Sequence, residues 1–360
     1  MELNSLLAQM IERKASDLHL AVGVPPIFRV DGALVPAPPP NLTPEDLDAL
    51  LQTSLPEDKL AEARAGRDFS APLRHEAQTF RCQVFRERGR LTAAVRILPG
   101  RIPTLEEMNL PPVFEKLTHC LRGLILLTGP SGSGKTTTVV SMLDEINMTR
   151  SERIYTLEDP LNYVLTSKLS LITQRVIGED VESYERGLLS AKDADPDVVF
   201  VGELRTPETA RLSLEMAEAG VLVFSQMTAD TVADAVAQLL ELLGEPRRQL
   251  LARTLQAVIA QKLLVRADRQ GRVAINEILL NTPRVSQMIA DGQSQPNLLA
   301  LAMDAGQLLG MQTMDNALLK LHERGVISRE TVKSHLTDKS RLPPAPNKVA
   351  LRPPIMGEQD

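Results

Sequence analysis

A glycine-rich segment with one lysine and two threonines is the part of the chain best suited to chemistry. It reads GPSGSGKTT and fulfils the pattern G-x-x-x-x-G-K-[ST]. In such a segment, glycines let successive backbone amides turn towards phosphate oxygens, the lysine reaches the β and γ phosphates, and the next hydroxyl ligates magnesium. The pattern predicts a site for ATP and Mg²⁺ formed by Gly129, Pro130, Ser131, Gly132, Ser133, Gly134, Lys135, Thr136 and Thr137.

Two acidic segments could complete such a site, because phosphoryl transfer needs carboxylates to hold magnesium and activate water. Glu203 follows the apolar run DVVFVG, so we expect it at the carboxyl edge of a sheet, as the general base. Glu158 and Asp159 end the run IYTLED. Glu158 is a second catalytic candidate, and Asp159 is a candidate magnesium ligand together with Thr136. A turn before Pro160 explains Glu158 and Asp159 equally well, since Asp-Pro favours turns.

Strands and helices alternate through the part of the chain that must position these residues. GLILLT, RIYTLE, DVVFVG and VLVFSQ predict strands, whereas TTTVVSMLDEINM and PETARLSLEMAEA predict helices. Such alternation predicts a parallel sheet flanked by helices. The glycine-rich segment lies directly between a strand and a helix, which argues against an accidental match. Beyond residue 245 we expect helices to about residue 337, interrupted by one strand at 272–280.

The first hundred residues predict a smaller α+β unit. Residues 3–15 have helical spacing, IFRVDGALV predicts two strands around an Asp-Gly turn, and Thr43 before Pro44 predicts a helix N-terminus. A second helix is expected near 56–65, and alternation from 68 to 98 predicts an antiparallel meander. The predicted division is an N-terminal domain at 1–99, a proline-containing linker at 100–112, an ATPase core at 113–280, a helical region at 281–337 and a flexible tail at 338–360.

Composition narrows the class of protein. The 360 residues suffice for about two domains, and 43% hydrophobic with 24% charged residues is typical of a folded globular chain. A net charge of -6 and three tyrosines argue against nucleic-acid binding. Two cysteines fit a reducing cytoplasm. The longest apolar run is far shorter than the ~20 residues of a membrane helix, so we expect a cytoplasmic chain without a transmembrane segment.

With these residues identified, the sequence resembles the PilT family, the retraction ATPases of the type IV pilus within the secretion ATPase superfamily. The resemblance covers roughly residues 1–335 and is carried by ASDLHLAVGVPPIFRVDGAL, RILPGRIPTLEEMNLPPVFEKL, YTLEDPLNYV, DPDVVFVGELR and GMQTMDNALLKL. It implies a homo-hexameric ring in which an N-terminal PAS-like domain packs on a RecA-like ATPase domain. It also implies an inner-membrane platform protein as partner, peripheral location at the pilus base, and contacts from Arg81 and Arg96 to the phosphates. Alone, each arginine would be read as a solvated strand residue.

The sequence departs from the family at its histidine box. The corresponding stretch is AGVLVFSQMTA, with Val221 and Thr228 where the family has histidines. Histidine there would sense or relay the γ-phosphate state, so its loss predicts slower turnover or weaker coupling to movement. The resemblance therefore favours a divergent or accessory paralogue, similar to the PilU branch, that works with a paralogous retraction ATPase. Two alternatives stay open: a weakly or non-catalytic ATP-binding regulatory subunit, and a pilus assembly or type II secretion ATPase.

Overall fold

The computed structural model describes residues 2–38 and 40–344. The amino-terminal part is an α+β unit with strands β1 (Asp17–Leu20), β2 (Ile27–Val30), β3 (Ala33–Pro36), β4 (Phe69–His75), β5 (Gln78–Glu87) and β6 (Arg90–Ile97), and helices α1 (Leu3–Glu12), α2 (Pro44–Gln52) and α3 (Glu57–Arg64). The six strands form one antiparallel sheet in the order β3-β2-β1-β6-β5-β4.

Local sequence signals account for much of this unit. Thr43 caps α2 as predicted, because its hydroxyl accepts the backbone amide of Asp46 at 3.1 Å, and Pro44 occupies the first helical position. Buried and half-buried residues alternate along β5, so one face of this strand packs on the core. Strand β1, which was not predicted, lies between β2 and β6 and joins the β2–β3 hairpin to the meander of β4, β5 and β6 in one sheet.

The larger unit contains a sheet of seven strands: β7 (Gly123–Thr128), β8 (Arg153–Glu158), β9 (Leu171–Val176), β10 (Val198–Val201), β11 (Leu222–Met227), β12 (Leu255–Val265) and β13 (Arg272–Leu280). Their order in the sheet is β13-β12-β7-β11-β10-β8-β9. Neighbouring strands are parallel except β12 and β13, which are antiparallel.

Helices cover both faces of this sheet and continue beyond it. They are α4 (Val113–Thr118), α5 (Lys135–Thr149), α6 (Tyr184–Lys192), α7 (Pro207–Glu218), α8 (Val232–Leu243), α9 (Arg248–Thr254), α10 (Pro283–Ala290), α11 (Pro296–Ala305), α12 (Met314–Glu323) and α13 (Arg329–His335), with short 3₁₀ turns at Glu245–Arg247, Gln307–Leu309 and Lys339–Arg341. Two apolar clusters pack on opposite faces of the sheet, and every residue of β7, β10 and β11 is buried. The predicted α/β fold class is confirmed.

The prediction of helix between residues 245 and 272 was wrong over most of its length. Strand β12 runs for eleven residues beside β7, and only the short α9 precedes it. Strand β9 also went unpredicted. Most of β12 is buried on both faces, so its sequence LQAVIAQKLLV lacks the apolar-polar alternation of a half-exposed strand. Its apolar spacing is therefore equally compatible with a buried helix.

Residues 338–344, the described start of the predicted flexible tail, contact the preceding helices. The carboxylate of Asp315 accepts the backbone amides of Thr337 and Asp338 at 2.8 and 2.9 Å, and Arg329 donates to the carbonyl of Pro343. These contacts hold the start of the predicted 338–360 tail against α12 and α13. Residues 345–360 of that tail lie outside the described residues. Within the described part of the chain, no helix is both long enough and apolar enough to cross a membrane.

Candidate nucleotide-binding site

Four central parallel strands end at the same edge of the larger sheet. Thr128 at the end of β7 pairs with Met227 at the end of β11, and Val201 at the end of β10 pairs with Ser225 of β11 and Leu157 of β8. The segments that follow these strands therefore converge. In open α/β sheets, ligands bind at this carboxyl edge.

The glycine-rich segment forms a tight loop between β7 and α5. Gly129, Gly132 and Gly134 have φ angles of +142°, +77° and +85°, which other residues rarely adopt. Gly134 directly precedes α5, which begins at Lys135, so the helix N-terminus faces the loop. The Lys135 ammonium donates to the carbonyls of Gly129 at 2.6 Å and Pro130 at 3.1 Å. Burial lowers the pKa of Lys135, and the nearby Glu203 acts in the opposite direction.

The two threonines of the loop contact different neighbours. The Thr136 hydroxyl donates to Oε1 of Gln226 at 3.3 Å, and Gln226 lies within β11 near its end. The Thr137 hydroxyl lies 3.1 Å from the phenol oxygen of Tyr163. Thr136, the predicted magnesium ligand, is thus held on the side of the loop that faces β11.

Glu158 is the last residue of β8 and is only 2% exposed. Its Oε1 accepts hydrogen bonds from the Thr156 hydroxyl at 2.9 Å and from Nε2 of Gln174 at 3.0 Å. Its Oε2 is buried and has no hydrogen-bond partner among residues 2–38 and 40–344. Burial raises the pKa of Glu158 to about 6, although these hydrogen bonds oppose the rise. The carboxyl group therefore changes its protonation near pH 6.

Glu203 lies two residues beyond the end of β10, and its side chain is 25% exposed. Both carboxylate oxygens have partners. Oε2 accepts from Nε of Arg205 at 2.8 Å and pairs with its terminal nitrogen at 2.6 Å, while Oε1 accepts from the Thr228 hydroxyl at 3.1 Å. The predicted base is therefore oriented by two side chains that follow β10 and β11.

These groups line one cleft with a volume of about 700 Å³, within the usual range for small-molecule sites. Asp159 is exposed in this cleft beside Glu158. The lining residues are Arg96, Ser131, Gly132, Ser133, Gly134, Lys135, Thr136, Thr137, Glu158, Asp159, Pro160, Asn162, Phe200, Gly202, Glu203, Arg205, Gln226, Thr228, Leu263 and Arg272. The structure thus brings most of the phosphate loop, the three predicted acids and one predicted arginine into one space.

The two predicted arginines are neighbours but differ in position. Arg81 of β5 pairs directly with Arg96 of β6, and Arg96 pairs with Asp17 of β1. Arg96 lines the cleft, is 60% exposed, and donates from Nε to Asp17 at 2.7 Å. Arg81 lines a separate pocket together with Pro160 and Glu179, and burial lowers its pKa. Arg96 is therefore better placed than Arg81 to reach a bound phosphate.

The two positions that replace the histidines lie at opposite ends of β11. Val221 precedes the strand, and its carbonyl accepts the amide of Gly123 at the start of β7. Thr228 follows the strand and contacts Glu203. Only Thr228 therefore lies in the cleft. The contact of Thr228 with Glu203 and that of Gln226 with Thr136 were not predicted from the sequence. A polar residue near the end of a buried strand was a signal that could have indicated both.

Comparison with known proteins assigns the chain to a family. The sequence profile of the type II/IV secretion system protein family matches residues 1–331. The chain belongs to this family. It is 36% identical to the type IV pilus retraction ATPase PilT of Pseudomonas aeruginosa, over 95% of this chain and 99% of that protein. It is 31% identical to the type IV pilus ATPase PilU of the same organism, over 93% and 88% of the two chains.

A solved structure has the same architecture. The crystal structure of the pilus retraction motor PilT with bound ADP superposes with a TM-score of 0.85 at 35% identity, covering 95% of this chain and 99% of that one. The chain is thus a PilT/PilU-like member of the family, with an N-terminal domain, an ATPase domain and the nucleotide-binding activity of this group. The predicted family resemblance, fold class and ATPase activity class are confirmed.

Proposed function

We propose that the protein is the ATP-hydrolysing motor, or an accessory motor, of type IV pilus retraction. The observation that carries this proposal is the single cleft in which the phosphate loop, Glu158, Glu203 and Arg96 meet. Phosphoryl transfer depends on positioning and on charge stabilisation, and this set supplies both. The similarity to PilT along nearly its full length supports a role in pilus retraction rather than in another secretion step.

The phosphate loop would bind the nucleotide, and the neighbouring carboxylates would activate water. Amides of the loop and the N-terminus of α5 would bind the phosphates, and Lys135 would exchange its carbonyl contacts for phosphate oxygens. Glu203, held by Arg205 and Thr228, would orient and deprotonate the attacking water. Glu158, which lines the cleft and whose buried Oε2 has no partner among the described residues, would assist as a second carboxylate.

The oxygen donors of the cleft fit magnesium. Thr136, Glu158 and Asp159 all line the cleft, and hard oxygen ligands suit this ion. No group of three or more His, Cys, Asp or Glu side chains that could hold a metal ion occurs among residues 2–38 and 40–344. Magnesium at nucleotide sites is usually held by one or two carboxylates together with phosphates and water. When bound, Mg²⁺ would neutralise charge on the β and γ phosphates.

The assembly is proposed on the family resemblance. We infer a homo-hexameric ring, because arginines or acids of one subunit complete a neighbour's site in such ATPases. The exposed Arg96 at the cleft suits contact with a nucleotide held nearby. The proposed partners are an inner-membrane platform protein and a paralogous retraction ATPase, at the cytoplasmic face of the pilus base.

One measurement separates a motor from a regulatory subunit. Magnesium-dependent ATP hydrolysis by the full chain is compared with that of Glu203→Gln, and ATP affinity is measured for both. We expect clear turnover in the wild type and a loss of at least about a hundredfold in the variant, because the substitution removes the base but leaves the loop. Tight binding without turnover in the wild type would instead favour the regulatory subunit.

A cellular assay addresses the pilus. Deleting the gene should abolish or weaken twitching on a surface, and the wild-type chain should restore it while Glu203→Gln should not. Loss of piliation upon deletion, in place of loss of retraction, would favour the assembly ATPase.

A further inference from the structure

A buried glutamine lies directly beneath the phosphate loop. Gln261 belongs to β12, where Ala260 pairs with Thr128, so Gln261 is the next residue alongside the start of the loop. It is 0% exposed. The approach is close enough that a Cβ atom on Gly129 would overlap the backbone carbonyl of Gln261. A polar side chain buried at such a position destabilises the fold unless its polar atoms have hydrogen-bond partners.

Both polar atoms of the Gln261 amide have hydrogen-bond partners in the loop, the following helix and the adjacent strand. Its Nε2 donates to the carbonyl of Ser133 at 2.8 Å. Its Oε1 accepts from the Thr138 hydroxyl in the first turn of α5 and from Nδ2 of Asn276 in β13, both at 3.0 Å. A reversed amide would set Oε1 against the Ser133 carbonyl and Nε2 against the Asn276 amine, so the surroundings determine its orientation.

We propose that Gln261 is a positioning residue of the nucleotide site. It joins the loop at Ser133 to the first turn of α5 at Thr138, the two segments whose amides must point at phosphate oxygens. A loop held in its binding shape loses less conformational entropy when the ligand arrives. The inference rests on the proposed nucleotide site and adds a residue that touches the loop from below.

Asn276 supports Gln261 from the far side. It is 2% exposed and pairs with Gln261 across the β12–β13 ladder. Its backbone carbonyl accepts Nε2 of Gln312 at 2.8 Å, just before α12. Asn276 therefore orients Gln261 by a direct bond, and its loss should have a smaller effect of the same kind.

The test measures ADP affinity by calorimetry and the melting temperature without ligand, both on the full chain. Gln261→Met keeps the shape but removes all three bonds, so we expect ADP to bind about tenfold more weakly. Asn276→Ala should weaken binding about threefold. The matched control is Asn147→Ala on the same helix α5. The Asn147 amide is 0% exposed and bonds to Thr166 and Lys168, away from the loop.

The control shows what a purely structural change does: Asn147→Ala should lower the melting temperature and leave ADP affinity at the wild-type value. If Gln261 is a positioning residue, Gln261→Met should lower both the melting temperature and the ADP affinity. If Gln261→Met binds ADP as the wild type does, the inference fails. If Gln261→Met does not fold, the test rests on Asn276→Ala, and an unchanged ADP affinity of that variant overturns the inference. Absence of ADP binding by the wild type would overturn the proposed function and the inference with it.

Discussion

Replacing Glu158 with glutamine is expected to stabilise the protein at alkaline pH while reducing ATP turnover. Burial raises the pKa of Glu158 to about 6, against 4.5 for an exposed glutamate. Above pH 6 the folded chain must therefore keep a negative charge where burial disfavours it. Glutamine retains the shape, and its oxygen can still accept from Thr156 and Gln174. The charge is lost and the hydrogen bonds are kept.

The direction of this pH effect on stability follows from the pH at which the unfolded and the folded chain each lose the Glu158 proton. Unfolded chains lose it near pH 4.5 and folded chains near pH 6, so unfolding between these values releases a proton. The contribution of Glu158 to wild-type stability therefore falls as pH rises through this window and changes no further above it. The difference between the two pKa values corresponds to about 2 kcal/mol at pH 8. At pH 5 the destabilisation by Glu158 is about half of that value or less.

Scanning calorimetry at pH 5 and pH 8 measures this effect. For an ATPase domain of this size, about 2 kcal/mol corresponds to a rise of about 4–8 °C in Tm at pH 8, with a clearly smaller rise at pH 5. Glu203→Gln is the matched control in the same cleft, and it should gain no stability because it loses the pairing with Arg205. A lower Tm for Glu158→Gln at pH 8, or an equal change at both pH values, would refute the reasoning.

Two further substitutions test local contacts. Thr228→Val removes the hydroxyl that orients Glu203 and should lower kcat by about tenfold, whereas kcat of Thr228→Ser should stay within about twofold of the wild type. Equal kcat in both variants would contradict the orienting role. Thr43→Ala removes the cap of α2 and should lower the free energy of unfolding by about 1 kcal/mol in urea titrations, while Thr43→Ser retains the cap. An unchanged midpoint for the alanine variant would mean that the cap contributes nothing.

Local signals in the sequence were sufficient for the elements that need only their own residues. The phosphate loop, the cap at Thr43 and the strands β7, β8, β10 and β11 all follow from short patterns of residue type. The predicted acids also reach the cleft, because parallel strands carry the residues at their ends to a common edge. The catalytic and binding roles of these residues stay predictions until the variants are measured.

Contacts between distant segments depended on the packed chain. Strand β12 resembled a helix in its apolar spacing, and only its place beside β7 makes it a strand. The same misassignment hid Gln261, whose partners Ser133 and Asn276 lie 128 and 15 residues away in sequence. Arg81 and Arg96 look alike in sequence, yet only Arg96 lines the cleft. Residue types report local propensity, whereas the pairing of strands and the direction of each side chain are set by burial shared across the whole sheet.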